Sequence, residues 1–142
     1  MGGYDSAEAS HQALRGIQRE LERHPVVDHV EGFPDGAFTR LLAVLTTASL
    51  DDAAGEATLT VRWFAGETPD SQPEFSFHYS DDARDFGWHH EPNPHVEGWG
   101  HFQKRAADET EYTYEPHEFT AANPTRLVWE LMETLSATLS SA

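Results

Sequence analysis

Cysteine is absent from the chain. That excludes a disulfide framework, a thiolate nucleophile and cysteine-ligated zinc. Lysine is almost absent: Lys104 stands alone, and arginine supplies the rest of the 9 basic residues. No apolar run approaches the roughly 18 residues that a membrane-spanning helix requires. The opening Met1-Gly2-Gly3-Tyr4-Asp5-Ser6 has neither the basic start nor the apolar stretch of a signal peptide. The expectation is a cytoplasmic protein with no membrane contact. Hydrophobic residues make up only 38%. A length of 142 residues still suffices for one domain, 1–142, around a buried core.

What the chain has in excess is negative charge. It carries 25 acidic residues against 9 basic ones, a net charge of −16. The acids run along the whole sequence, which argues against a disordered acidic tail. The reading that fits is a surface adapted to molar salt in an extreme halophile. At about 1 M salt the Debye length is about 3 Å, so like charges tolerate one another, while net charge preserves solubility. In such a proteome an acidic balance says little about partners. Contact with nucleic acid then needs a local basic patch and gains little from counterion release.

Periodicity organises the rest. Residues 6–23 read as a helix with Ser6 as N-cap and Ala13, Leu14, Ile17 and Leu21 on one face. Arg15, Arg19 and Arg23 make a solvated stripe among acids, and His24-Pro25 ends the helix. Strands are expected at 26–31, 38–47 and 57–65, with turns at 32–36 and 51–55. Phe75, Phe77 and Tyr79 alternate with Ser76, His78 and Ser80 in a further strand. Asp81-Asp82 turns the chain into residues 85–89. Residues 100–105 and 111–115 form a last hairpin, with Tyr112 and Tyr114 on one face. Asn123 caps a final helix that begins at Pro124 and carries Leu127, Leu131, Leu135 and Leu139. The expected fold is α+β: an antiparallel β-sheet flanked by an N-terminal and a C-terminal helix.

Residues 86–103 concentrate the chemistry. Four of the 9 histidines lie there, His89, His90, His95 and His101, bracketed by Trp88 and Trp99. Histidine titrates near neutrality, moves protons and binds metals. Adjacent residues of an extended segment face opposite sides, so Trp88 and His90 share one face and His89 the other. His78 projects opposite the aromatic face of its strand. His101, Gln103 and Arg105 also share a face, with Lys104 nearby. Two chemistries suit this set. In one, His90, His95 and His101, assisted by His78, act as acid and base at a ribose phosphate. Lys104 and Arg105 then offset phosphate charge, with Gln103 beside them. Trp88 and Trp99 stack on unpaired bases. In the other, His90, His95 and His101 hold a divalent metal with Glu91 or Glu97. No standard metal spacing is present, so no cofactor is expected and the metal stays an alternative. A third use of the aromatic and histidine loop is as a non-enzymatic partner-binding surface.

Phe77-His78-Tyr79, an acidic turn, Trp88-His89-His90-Glu91-Pro92-Asn93-Pro94-His95 and then His101 resemble the TumE-like family of small toxins. The likeness spans roughly residues 57–139. Members of that family carry an Arg-Trp-Asp-Asn-Ala-Pro-His-His motif. Here Gly87 stands for its arginine, His89-His90 for the Asp-Asn pair, and Pro94-His95 for the proline and paired histidines. The resemblance implies a toxin of a toxin–antitoxin pair, a cognate antitoxin protein as partner, and RNA as a target.

Overall fold

Period-two alternation becomes a sheet because each strand buries one row of side chains. The computed structural model describes residues 3–33, 40–46 and 55–140. Helix α1 (Ser6–Arg23) precedes strands β1 (Val27–Phe33), β2 (Arg40–Leu45), β3 (Ala57–Phe64), β4 (Glu74–Ser80), β5 (Arg84–His90), β6 (Gly100–Ala106) and β7 (Thr113–Pro116). Helix α2 (Pro124–Ser140) follows. The strands form one seven-stranded sheet in chain order, and every neighbouring pair is antiparallel. This is the expected α+β architecture.

Register sorts the two faces. Val61, Phe77, Trp88 and Phe102 lie opposite one another across successive strands, as do Leu59, Tyr79 and Phe86. These residues are buried. Leu14, Ile17 and Leu21 of α1 join the same core, with Leu127, Val128, Leu131, Met132, Leu135 and Leu139 of α2. Full burial of such a side chain contributes about 1.5–3 kcal/mol. The helices also meet directly, since Trp129 Nε1 donates to Glu20 Oε1 at 2.8 Å and its ring lies 4.9 Å from that of His24.

Several local expectations shift in detail. The N-cap of α1 is Asp5, not Ser6: the Asp5 carboxylate accepts from the Ala7 and Glu8 amides at 3.0 and 3.2 Å. A carboxylate also suits the positive end of the helix dipole. Asn123 caps α2 as expected, with Oδ1 accepting from the Thr125 amide at 2.9 Å. Gly32 and Phe33 extend β1 rather than turning. The rest of the 32–36 turn, residues 51–54, and positions 38, 39 and 47 of the expected second strand lie outside the described residues. Among the described residues no helix is long and apolar enough to cross a membrane.

Candidate functional site

The face turned away from the helices collects the polar partners of those core rows. Thr60, His78, Gly87, Gln103 and Tyr114 lie opposite one another on five successive strands. Ser76, His89, His101 and Pro116 form the next row, and Ser80, Asp85 and Arg105 another. At the centre Gly87 offers bare backbone. A Cβ there would sit 2.5 Å from His78 Nδ1, 2.7 Å from the Phe77 carbonyl oxygen and 2.8 Å from His78 Cα. The missing side chain lets the His78 imidazole lie across β5.

From that position His78 Nε2 meets Asp85 Oδ1, and His78 Nδ1 faces His89 Nε2 at 3.2 Å. Asp85 accepts further hydrogen bonds from the Tyr112 hydroxyl and from Arg105 Nη2, both at 2.8 Å. Burial pushes the Asp85 carboxyl up, but bonds from His78 and Tyr112, the nearby His78 charge and the Arg105 bond together hold it below its ordinary value. The Arg105 guanidinium also lies 5.2 Å from the Tyr112 ring centre. Its Nε is buried with no hydrogen-bond partner among the described residues.

The second half of the cluster is built by the loop between β5 and β6. The rings of His89 and His101 stack with centres 5.3 Å apart. His101 is fully buried, and its Nδ1 contacts the Trp99 carbonyl oxygen at 3.2 Å. Asn93 approaches His101 Nε2 at 3.4 Å and accepts from the His95 amide at 2.8 Å. His95 is exposed and stacks on Tyr114, with ring centres 4.6 Å apart. His89 Nδ1 lies 3.4 Å from Glu91 Oε1. Burial lowers the His89 pKa to about 3, the electrostatic influence of His78, His101 and Arg62 acts in the same direction, and Asp85 only partly opposes it. His89 is therefore a neutral imidazole near pH 7. One ligand atom each from His89, Glu91 and His101 falls within 4.8 Å of the other two.

The structure thus gathers His78, His95, His101, Gln103 and Arg105 on or beside one face. It does not bring His90 there. His90 Nδ1 donates to the Pro73 carbonyl at 2.7 Å, and its ring packs on Phe75 and Trp99 at 5.1 and 5.3 Å. With Trp99, His117 and Phe119 it lines a cavity of about 740 Å³ on the opposite side. Trp88 is a core residue, 2% exposed, packed on Phe86 and Phe102. Lys104 lines a separate cavity with Arg84, Phe86 and Thr138. The expected metal grouping of His90, His95 and His101 is accordingly replaced by His89, Glu91 and His101. Asp85, His89 and Tyr112 went unselected in the sequence. The available signal was that His89 alternates with Trp88, just as His78 alternates with Phe77.

No family model matches the chain, and no curated protein or solved structure matches it. The chemistry must be read from the face itself. It holds a carboxylate–imidazole–imidazole chain, an exposed imidazole on a tyrosine, and two guanidinium groups, Arg105 and, facing His89 in charge, Arg62. Such a set can move protons and balance the negative charge of a phosphate.

Proposed function

We propose that the helix-free face is the site of a toxin-like protein that cleaves RNA and is held in check by a cognate antitoxin protein. The observation that carries this reading is the Asp85–His78–His89 chain, anchored by Tyr112 and Arg105 on the same carboxylate. An attacking ribose 2′-hydroxyl is activated at the His89 end of that chain. His95, exposed on Tyr114, protonates the departing oxygen. Arg62 and Arg105 offset the charge that builds on phosphorus. Tyr112, Tyr114 and His95 supply rings for unpaired bases. The likeness of residues 57–139 to the TumE-like toxins supports the same role, and the acidic composition fits a protein that works in molar salt in the cytoplasm. An interaction-only module gains less support. Among the described residues the large exposed hydrophobic side chains are Tyr4 and Trp129, far less than a docking core offers.

The test compares the two faces. His89→Ala and His95→Ala are expected to abolish cleavage of a single-stranded RNA oligonucleotide, and growth arrest on expression, while thermal unfolding shows an intact fold. His90→Ala is expected to keep both activities. Full activity in the first two variants, or loss confined to the third, ends the reading.

A further inference from the structure

We propose that His89, Glu91 and His101 form a binding site for one divalent transition-metal ion of the zinc type, open to solvent on one side. The case rests on geometry: one ligand atom each from His89, Glu91 and His101 lies within 4.8 Å of the other two. Asp85 Oδ1 accepts from the Tyr112 hydroxyl and also meets His78 Nε2. On the other side of that ring, His78 Nδ1 lies 3.2 Å from His89 Nε2. His89 Nδ1 lies 3.4 Å from a Glu91 carboxylate oxygen. On His101, Nδ1 donates to the Trp99 carbonyl, and Nε2 lies 3.4 Å from Asn93 Nδ2. Two imidazoles and a carboxylate thus converge, and ligation through His101 Nε2 would replace its contact with the Asn93 amide.

The donor set selects the ion. Two neutral imidazoles and one carboxylate suit zinc and its neighbours, whereas magnesium and calcium prefer oxygen alone. Zinc bonds of about 2.0–2.1 Å place tetrahedral ligand atoms roughly 3.4 Å apart, so a cluster within 4.8 Å closes by small ring rotations. Both imidazoles already carry the outer support that metal-binding histidines use. The Trp99 carbonyl holds one, and the His78–Asp85 pair holds the other. A depression of about 310 Å³, lined by Arg62, Ser76, His89 and Glu91, opens beside the cluster. It leaves room for water or an anionic group on the ion, with the Arg62 guanidinium to receive negative charge. This inference rests on the cluster's geometry and is independent of the RNA reading. If both hold, His89 would hold the ion, and the bound ion would supply the hydroxyl activation otherwise assigned to His89.

The test is calorimetric titration of zinc chloride into the full, untagged, chelator-stripped chain. One equivalent is expected to bind. Glu91→Gln and His101→Gln remove ligands and are expected to weaken binding beyond the about 10–100-fold typical of losing an outer partner. His78→Ala removes such a partner and is expected to fall in that about 10–100-fold range. His29→Ala, at an exposed histidine of β1, is expected to bind zinc like the parent. Should His101→Gln fail to fold, Glu91→Gln decides, because that side chain is 46% exposed. Absence of stoichiometric binding by the folded parent, or unchanged binding in Glu91→Gln, overturns the inference. RNA cleavage is assayed separately. Zinc binding without cleavage keeps this inference and removes the RNA reading, and cleavage without zinc binding does the reverse.

Discussion

Replacing Gly87 by alanine tests the centre of the site with one carbon atom. The new Cβ would lie 2.7 Å from the Phe77 carbonyl oxygen and 2.8 Å from His78 Cα, both backbone atoms of the adjacent strand. Neither can rotate away, so β4 and β5 must separate or His78 must rise off the sheet. Overpacking of this kind costs about 1–3 kcal/mol. Alanine recovers roughly 0.5–1 kcal/mol by restricting the unfolded chain. The net expectation is a loss of up to about 2.5 kcal/mol, or up to about 10 °C in melting temperature at roughly 3–4 °C per kcal/mol for a chain this long. Thermal unfolding by circular dichroism reads the stability. The imidazole signals of His78 and His89 in a nitrogen-15 NMR spectrum read the geometry, and both should move because the 3.2 Å contact between them is broken. An alanine variant with the parent's melting temperature and unshifted imidazole signals would refute the idea that the bare backbone at Gly87 seats His78.

Three other outcomes follow from the same coordinates. Asp81 takes the Tyr79 hydroxyl at 2.6 Å and the Ala83 and Arg84 amides at 2.8 Å each, so Asp81→Ala strands a buried hydroxyl and should cost about 2–4 kcal/mol in urea unfolding. Tyr79→Phe removes the stranded group instead and should cost less than about 1.5 kcal/mol; equal losses in the two variants would discount the turn. Asp85 has its folded pKa held below the ordinary 3.8, so its contribution is complete above that value and is lost as pH falls through the lower, folded one. The stability gap between the parent and Asp85→Asn should therefore close on acidification through that window, and a gap constant with pH would contradict it. Finally, a net charge of −16 predicts a melting temperature that climbs as salt rises toward the molar range, where repulsion is screened; equal stability at low and high salt would count against halophilic adaptation.

Much of the fold was legible because its signals are local. Leu59, Val61 and Trp63 alternate with polar neighbours, the leucines of α2 recur in steps of four, and Asn123-Pro124 announces that helix. The candidate face was half legible for a physical reason. His89 and His90 are adjacent, so alternation alone says that they part company, not which one joins His78. That depends on the β4–β5 register, which pairs His78 with Gly87 and Ser76 with His89. A slip of one residue would exchange the faces and put His90 in the cluster. Asp81 and its bonds to the turn amides fix that register, and a pair of adjacent aspartates does not disclose them. Lys104 could have been separated from His101 and Arg105 by alternation alone. Trp88 could not, because a tryptophan that stacks on bases and one that fills a core have the same composition. The meeting of Tyr112 with Asp85 across 27 residues lay outside any local pattern.

The strictly sequential strand order has a consequence for how this surface is made. Every side chain assigned a role lies between Arg62 and Tyr114, on strands joined to their immediate neighbours in the chain or on the loops that join them. No distant segment has to thread in to complete it, so loop closure is short at each step and assembly can proceed hairpin by hairpin. One uninterrupted stretch of coding sequence carries the whole constellation, and the two helices beneath it complete the core on which it rests.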